Sequence, residues 1–160
     1  MSIPFKFLYA TLSTPDIERA QNWYIEKLNF EIYDKLDFPD FGTSIVHLYK
    51  HDFRLELIQQ EGSRPTNVEQ GYPPHHTNIQ MITQICFMVD DLDQLISELV
   101  SKGVEKVWEK RSVGPMGVNF QFFKDCDGRL LQFVELDKEG HKNIKKAINK
   151  SGFKFKHEQL

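Results

Sequence analysis

Cysteine is scarce in this 160-residue chain: there are two, Cys86 inside an apolar run and Cys126 in a turn-like segment. Such unlike settings exclude a disulfide framework and fit a reducing cytosol. A nucleophilic thiol needs a neighbour that lowers its pKa, and no spacing in the sequence supplies one. Long apolar runs are missing as well. No stretch of about 18 residues is apolar enough to span a membrane, and the start Met1-Ser2-Ile3-Pro4-Phe5-Lys6 has no apolar run of the length expected of a signal peptide. The expectation is a cytoplasmic protein without a membrane partner. Strong charge of one sign is also lacking: the formal net charge is -3 and most of the chain carries no basic stripe. Nucleic acid is therefore not expected as a partner.

Aromatic residues are plentiful, with 13 Phe, 5 Tyr and 2 Trp, enough to fill a core, line an apolar pocket, or both. A hydrophobic fraction of 40% and a charged fraction of 27% belong to an ordinary globular protein. The length suits one compact domain.

Along the chain one pattern occurs twice. Phe5 to Leu12 reads as a strand, and Ser13-Thr14-Pro15-Asp16 opens a helix with Thr14 or Asp16 as cap. Ile17, Ala20, Tyr24 and Leu28 give that helix, predicted over 15–28, one apolar face. Strand-like runs follow at Phe30–Phe38, Thr43–Lys50 and Phe53–Gln59. Later Ile82–Val89 reads as a strand, Asp90-Asp91 offer caps, and Leu92, Leu95, Ile96, Leu99 and Val100 mark a helix over 91–102 that stops at Lys102-Gly103. Further strands are expected at Val104–Arg111, Val118–Lys124 and Arg129–Leu136, with a turn at Asp125-Cys126-Asp127-Gly128.

A shift of 75 lays Tyr9 on Gln84, Asp16 on Asp91 and Tyr24 on Leu99; a shift of 76 lays Glu56 on Gln132. This is an internal repeat of one supersecondary unit. The predicted fold is α+β: two tandem β-α-β-β-β modules, each with a helix on one sheet face, forming a curved mixed-sheet cleft. The domain spans 1–137, with module one at 5–60, a Gly- and Pro-rich linker at 61–80 and module two at 81–137. A basic tail at 138–160 is expected to form a short helix, packed through Ile144 and Ile148.

Leu12-x-Thr14-x-Asp16-Ile17-Glu18-x-Ala20-x-x-Trp23-Tyr24-x-x-x-Leu28-Asn29-Phe30 resembles the opening of a vicinal oxygen chelate module. Cys86-Phe87-Met88-Val89-Asp90-Asp91-Leu92 and Lys124-Asp125-Cys126-Asp127-Gly128-Arg129-Leu130-Leu131-Gln132-Phe133 resemble the opening and closing of a second. That family includes glyoxalase I, extradiol dioxygenases, fosfomycin thiol transferases and bleomycin-binding resistance proteins. The resemblance implies ligand positions for a divalent metal (zinc, nickel or iron) at Tyr9, Glu56, Gln84 and Gln132. One carboxylate, two amides and a phenol make a poor set for such ions, so no tightly held metal is expected. Gln132 cannot act as the base that glyoxalase chemistry draws from its position.

Other residues join this candidate site. If Lys50 and Phe53 flank a two-residue turn, His47 lies across from Glu56 on the same face. The pair could do acid–base work or serve as a structural polar pair in a pocket wall, and the second reading is favoured. Arg54 shares parity with Glu56 and suits an anionic ligand, with a salt bridge as the alternative. Trp108, Phe120 and Phe122 belong to either core or pocket. The loop Gly114-Pro115-Met116-Gly117 is either a pocket rim or a plain turn. His75-His76 is expected to be solvated, and Asp125-x-Asp127-Gly128 to be a turn and no calcium loop. The function expected is binding of a small, partly aromatic or amphipathic molecule by a homodimer, without a cofactor. A divalent-metal-dependent lyase or dioxygenase and an interaction module with a collapsed cleft are the alternatives.

Overall fold

The computed structural model describes residues 7–65, 71–78 and 80–151, with side chains described to residue 146. In order the chain forms β1 (Ala10–Ser13), α1 (Ile17–Leu28), β2 (Glu31–Phe38), β3 (Thr43–Lys50), β4 (Phe53–Gln60), β5 (Gln84–Met88), α2 (Leu92–Ser101), β6 (Lys106–Val113), β7 (Val118–Lys124), β8 (Leu130–Leu136) and α3 (Lys138–Ser151). The strands make two four-stranded sheets, ordered β1-β4-β3-β2 and β5-β8-β7-β6. β1 pairs parallel with β4 and β5 with β8, while the remaining pairs are antiparallel. This is the α+β pair of β-α-β-β-β modules that the repeat predicts. The chain divides into two compact units, Met1–Glu69 with Asp125–Gly128, and Gln70–Lys124 with Arg129–Leu160.

Both crossover helices start on an aspartate. Asp16 Oδ1 accepts from the Arg19 N–H at 2.9 Å and Asp91 Oδ1 from the Gln94 N–H at 2.8 Å, satisfying donors that the first helical turn leaves unpaired. In the first unit α1 buries Ala20, Tyr24 and Leu28, and the sheet buries Val46, Leu48, Leu55 and Leu57. Val46 pairs with Leu57 and Leu48 with Leu55, so these four share the face that meets α1. Burial of a leucine of this kind is worth roughly 1.5–3 kcal/mol. The second unit repeats the arrangement with Leu92 and Leu99 on α2 and with Phe123, Leu131 and Phe133 on the sheet. In each unit the opposite sheet face carries the alternate residues.

Several boundaries differ from expectation. β1 begins later than expected, at Ala10, and its ladder with β4 opens at the Ala10–Leu55 pair, with Phe7, Leu8 and Tyr9 lying before it. Phe5 and Lys6 lie outside the described residues. β6 runs over Lys106–Val113 and not 104–111, because the Val104 N–H is taken by the Leu99 carbonyl at the end of α2. The tail forms α3. Ile144 on it is exposed, and the Ile148 side chain lies outside the described set. α3 starts in a tight contact: Asp137 N–H donates to Gly117 O at 3.0 Å, and Gly140 N–H to Asp137 Oδ1 at 2.9 Å. A Cβ added at Gly117 or at Gly140 would collide with the other residue's backbone. None of the described helices is long and apolar enough to cross a membrane.

Candidate functional site

The connection between β3 and β4 has two residues, so Lys50 pairs with Phe53 and, three positions further, His47 pairs with Glu56. Glu56 also stands beside Thr11 of β1, and His47 beside Asp34 of β2. One row thus crosses all four strands of the first sheet, on the face away from α1. Thr11 Oγ1 donates to Glu56 Oε1 at 2.8 Å, and His47 Nε2 lies 2.9 Å from Glu56 Oε2. On the far side His47 Nδ1 is 3.8 Å from Asp34 Oδ2, too far for a hydrogen bond. Since a carboxylate can only accept, the imidazole bears its proton on Nε2 unless it is charged. Nδ1 is buried without a hydrogen-bond partner.

Aromatic rings frame the row. Tyr33, at a break in the β2 ladder between Ile32 and Asp34, stacks on His47 with centroids 5.2 Å apart and planes at 18°. Tyr9 tilts against the same imidazole at 5.9 Å. The Arg54 guanidinium lies 5.8 Å from the Tyr33 centroid. Tyr9, His47, Arg54 and Glu56 therefore come together in the first unit. Thr11 and Asp34 were not legible from sequence, because finding them requires the β1–β4 register and the β2 irregularity.

In the second unit the corresponding row reads Cys86, Gln132, Phe122 and Val107. Its polar content is one amide. Gln84 Nε2 donates to Gln132 Oε1 at 3.0 Å, and Gln84 Oε1 lies 2.9 Å from His76 Nε2. His76 corrects the expectation of a solvated histidine pair. His75 is exposed, but His76 is 6% exposed, with its ring edge-on to Phe122 at 5.2 Å. Both belong to a short 3-10 turn, His75–Asn78, which buries the second ring and leaves the first exposed. Phe122 packs with Val107 and Leu130, and Phe120 lies against that cluster. Trp108 stands at the break in β6 beside Arg111. Both cysteines are free thiols, and burial pushes the Cys86 thiol up, away from the thiolate form. Gly114–Met116 is a 3-10 turn whose far end supports α3. Asp125 and Asp127 are engaged by the Tyr24 hydroxyl and by Arg19.

The sequence profile of the Glyoxalase/Bleomycin resistance protein/Dioxygenase superfamily matches residues 6–133. The chain belongs to this superfamily. It is 25% identical over 136 residues to human mitochondrial methylmalonyl-CoA epimerase, covering 79% of this chain and 72% of that protein. The mouse epimerase is 23% identical over 134 residues, covering 79% and 71%. Among solved structures, the glyoxalase family protein from Enterococcus faecalis superposes with a TM-score of 0.68 at 21% identity, covering 81% of this chain and 97% of that one. Glyoxalase I from Leishmania major gives 0.68 at 18% identity, covering 93% and 99%. These likenesses establish the glyoxalase fold.

Many members of the superfamily use divalent metals, and the donors that this chain offers are few. Glu56 has both oxygens bonded, to Thr11 and to His47, and the Gln84 and Gln132 amides are bonded to each other. The second unit adds the His76 imidazole but no negative charge. Among the described residues no three His, Cys, Asp or Glu side chains gather into a metal-holding group. The donors present do not fit a divalent ion. A depression of about 260 Å³ lies elsewhere, between α1 and the β2–β3 pair, with Gln21, Lys35 and Ser44 in its wall; none of the predicted site residues lines it.

Proposed function

We propose that this superfamily member binds a small molecule over the row Thr11–Glu56–His47–Asp34, and that His47 exchanges a proton with it. The observation that carries the reading is the 2.9 Å contact between His47 Nε2 and Glu56 Oε2, with Nδ1 left unbonded. Glu56 fixes the ring and the tautomer, Thr11 fixes Glu56, and Tyr33 limits rotation of the imidazole by stacking on it. Nδ1 keeps an unbonded lone pair inside the aromatic frame, where a bound molecule reaches it by displacing a ring, and imidazole is the side chain that most often serves as general acid or base. The epimerase names of the curated relatives point to the same class of chemistry, since inverting a carbon centre through its C–H requires a proton to leave and return.

The second reading, a divalent-metal enzyme with a relaxed ligand set, is favoured by superfamily membership and by the same relatives. Deuterium exchange into methylmalonyl-CoA in D2O separates the two. Exchange that survives chelator and falls at least about 100-fold in His47→Ala supports the first reading, since general acid–base catalysis contributes on that scale. Exchange seen only after adding zinc, nickel or iron installs the second. Neither exchange nor calorimetric binding of this thioester would overturn the proposal for that substrate class and leave the interaction-module alternative standing.

A further inference from the structure

The break in β6 is larger than one extra residue. Val107 pairs with Phe122 and Arg111 with Phe120, so Trp108, Glu109 and Lys110 together face Gln121. Trp108 takes a φ of 71°, a left-handed conformation that is a genuine outlier for a bulky residue. The fold holds it there with a dedicated residue. Gln121, 1% exposed, directs its Nε2 at the carbonyls of Val107 and Trp108, each at 3.0 Å, and its Oε1 is buried without a hydrogen-bond partner. The result is an indole left 37% exposed at a sheet edge, with the Arg111 guanidinium 4.4 Å from its ring centroid.

Neighbouring charges isolate Arg111. Glu109 is taken by Lys106 at 3.0 Å, and Asp93 by Lys110. Arg111 makes no ion pair among the described residues. The guanidinium lies on an apolar ring with hydrogen-bond donors unmatched by any carboxylate, an arrangement suited to bidentate capture of an anion. The first module arrives at the same combination by another route. Tyr33, 75 positions before Trp108, sits at the ladder break of β2 and carries Arg54 from β4, which also makes no ion pair among the described residues. Recurrence with arginines drawn from different strands argues against an accident of one surface.

We propose that Trp108 and Arg111 form a binding site for small amphipathic anions, in which a flat apolar body lies on the indole and a carboxylate or phosphate pairs with the guanidinium. The site goes beyond the reading of His47 and Glu56 and does not depend on it, so failure of one leaves the other standing.

Trp23 is the other of the two tryptophans, so in a Trp23→Phe chain the emission reports Trp108. This full-length variant is titrated at constant ionic strength with phenyl phosphate and benzoate, and with benzyl alcohol and acetate as the separate halves of the probe. The expected result is a saturable change with both aromatic anions, at least about tenfold tighter than with either half, as a charge-assisted hydrogen-bonded pair provides. The tighter of the two anions identifies the preferred head group. In Trp23→Phe/Arg111→Gln the advantage of the anions over benzyl alcohol disappears, and Arg111→Lys, which keeps charge without the planar fork, falls between. Linear quenching equal for charged and neutral probes, or an Arg111→Gln chain that titrates like its parent, would overturn the proposal.

Discussion

His75 and His76 are adjacent in sequence and opposite in environment, and the difference is measurable. His76 combines a hydrogen bond to Gln84 with an edge contact to Phe122, so His76→Ala removes a buried ring and one bond at once. The expected cost is about 2 kcal/mol, read as a fall of about 4–8 °C in melting temperature for a chain of this size. His75→Ala is expected to leave the melting temperature within about 1 °C, as exposed substitutions do. Equal effects of the two would place both rings in solvent and return the linker to the solvated state that its proline- and glycine-rich composition implies. The miss has a physical origin: burial of His76 depends on Phe122 and Gln84, which nothing in the local run Pro73-Pro74-His75-His76 announces.

Hairpin and helix positions were more legible than strand ends. The His47–Glu56 register follows from counting back from a two-residue turn, and the capping aspartates from a helical stripe preceded by Asp16 or Asp91. Strand ends depend on partners that a single segment does not reveal, hence the displaced starts of β1 and β6. Whether Phe122 belongs to the core or to a pocket stays open in the sequence for the same reason, since alternation assigns faces in pairs without saying which one meets the helix. The start of α3 gives a test at the scale of elements. Gly117 has a φ of 66° and its hydrogen position points into Asp137 and Gly140, so Gly117→Ala combines backbone strain with a collision. It is expected to release α3, seen as lost hydrogen-exchange protection over 138–146 and a destabilisation of at least about 2 kcal/mol. Gly114→Ala, three residues earlier and with nothing within 4 Å of the added carbon, is expected to be neutral within about 0.5 kcal/mol. If both behave alike, the helix start does not rest on the glycine contact.

At the scale of the whole molecule the two modules have diverged in chemistry while keeping one topology. The first keeps a continuous polar row with an imidazole between two carboxylates; the second has an amide pair, a phenylalanine and a histidine supplied from outside the repeat. They are not separable pieces either. The turn Asp125–Gly128, encoded in the second module, belongs to the first compact unit, where Asp125 Oδ2 accepts from the buried Tyr24 hydroxyl at 2.9 Å and Asp127 pairs with Arg19. A fragment ending at Glu69 therefore lacks part of its own interior. It is expected to give a poorly dispersed amide spectrum and no cooperative melt, whereas a well-dispersed spectrum would show that the turn is dispensable.

The same loan of four residues has a bearing on descent. When a segment is duplicated within a gene, either copy can at first be deleted without harm to the other. Once the later copy contributes Asp125 and Asp127 to the earlier one, deletion of the later copy damages both. From that point the duplication is locked in. The later copy can then shed the ancestral polar residues of its own row, as Gln132 and Phe122 show in place of Glu56 and His47, and still be retained by selection for what it does in the other half.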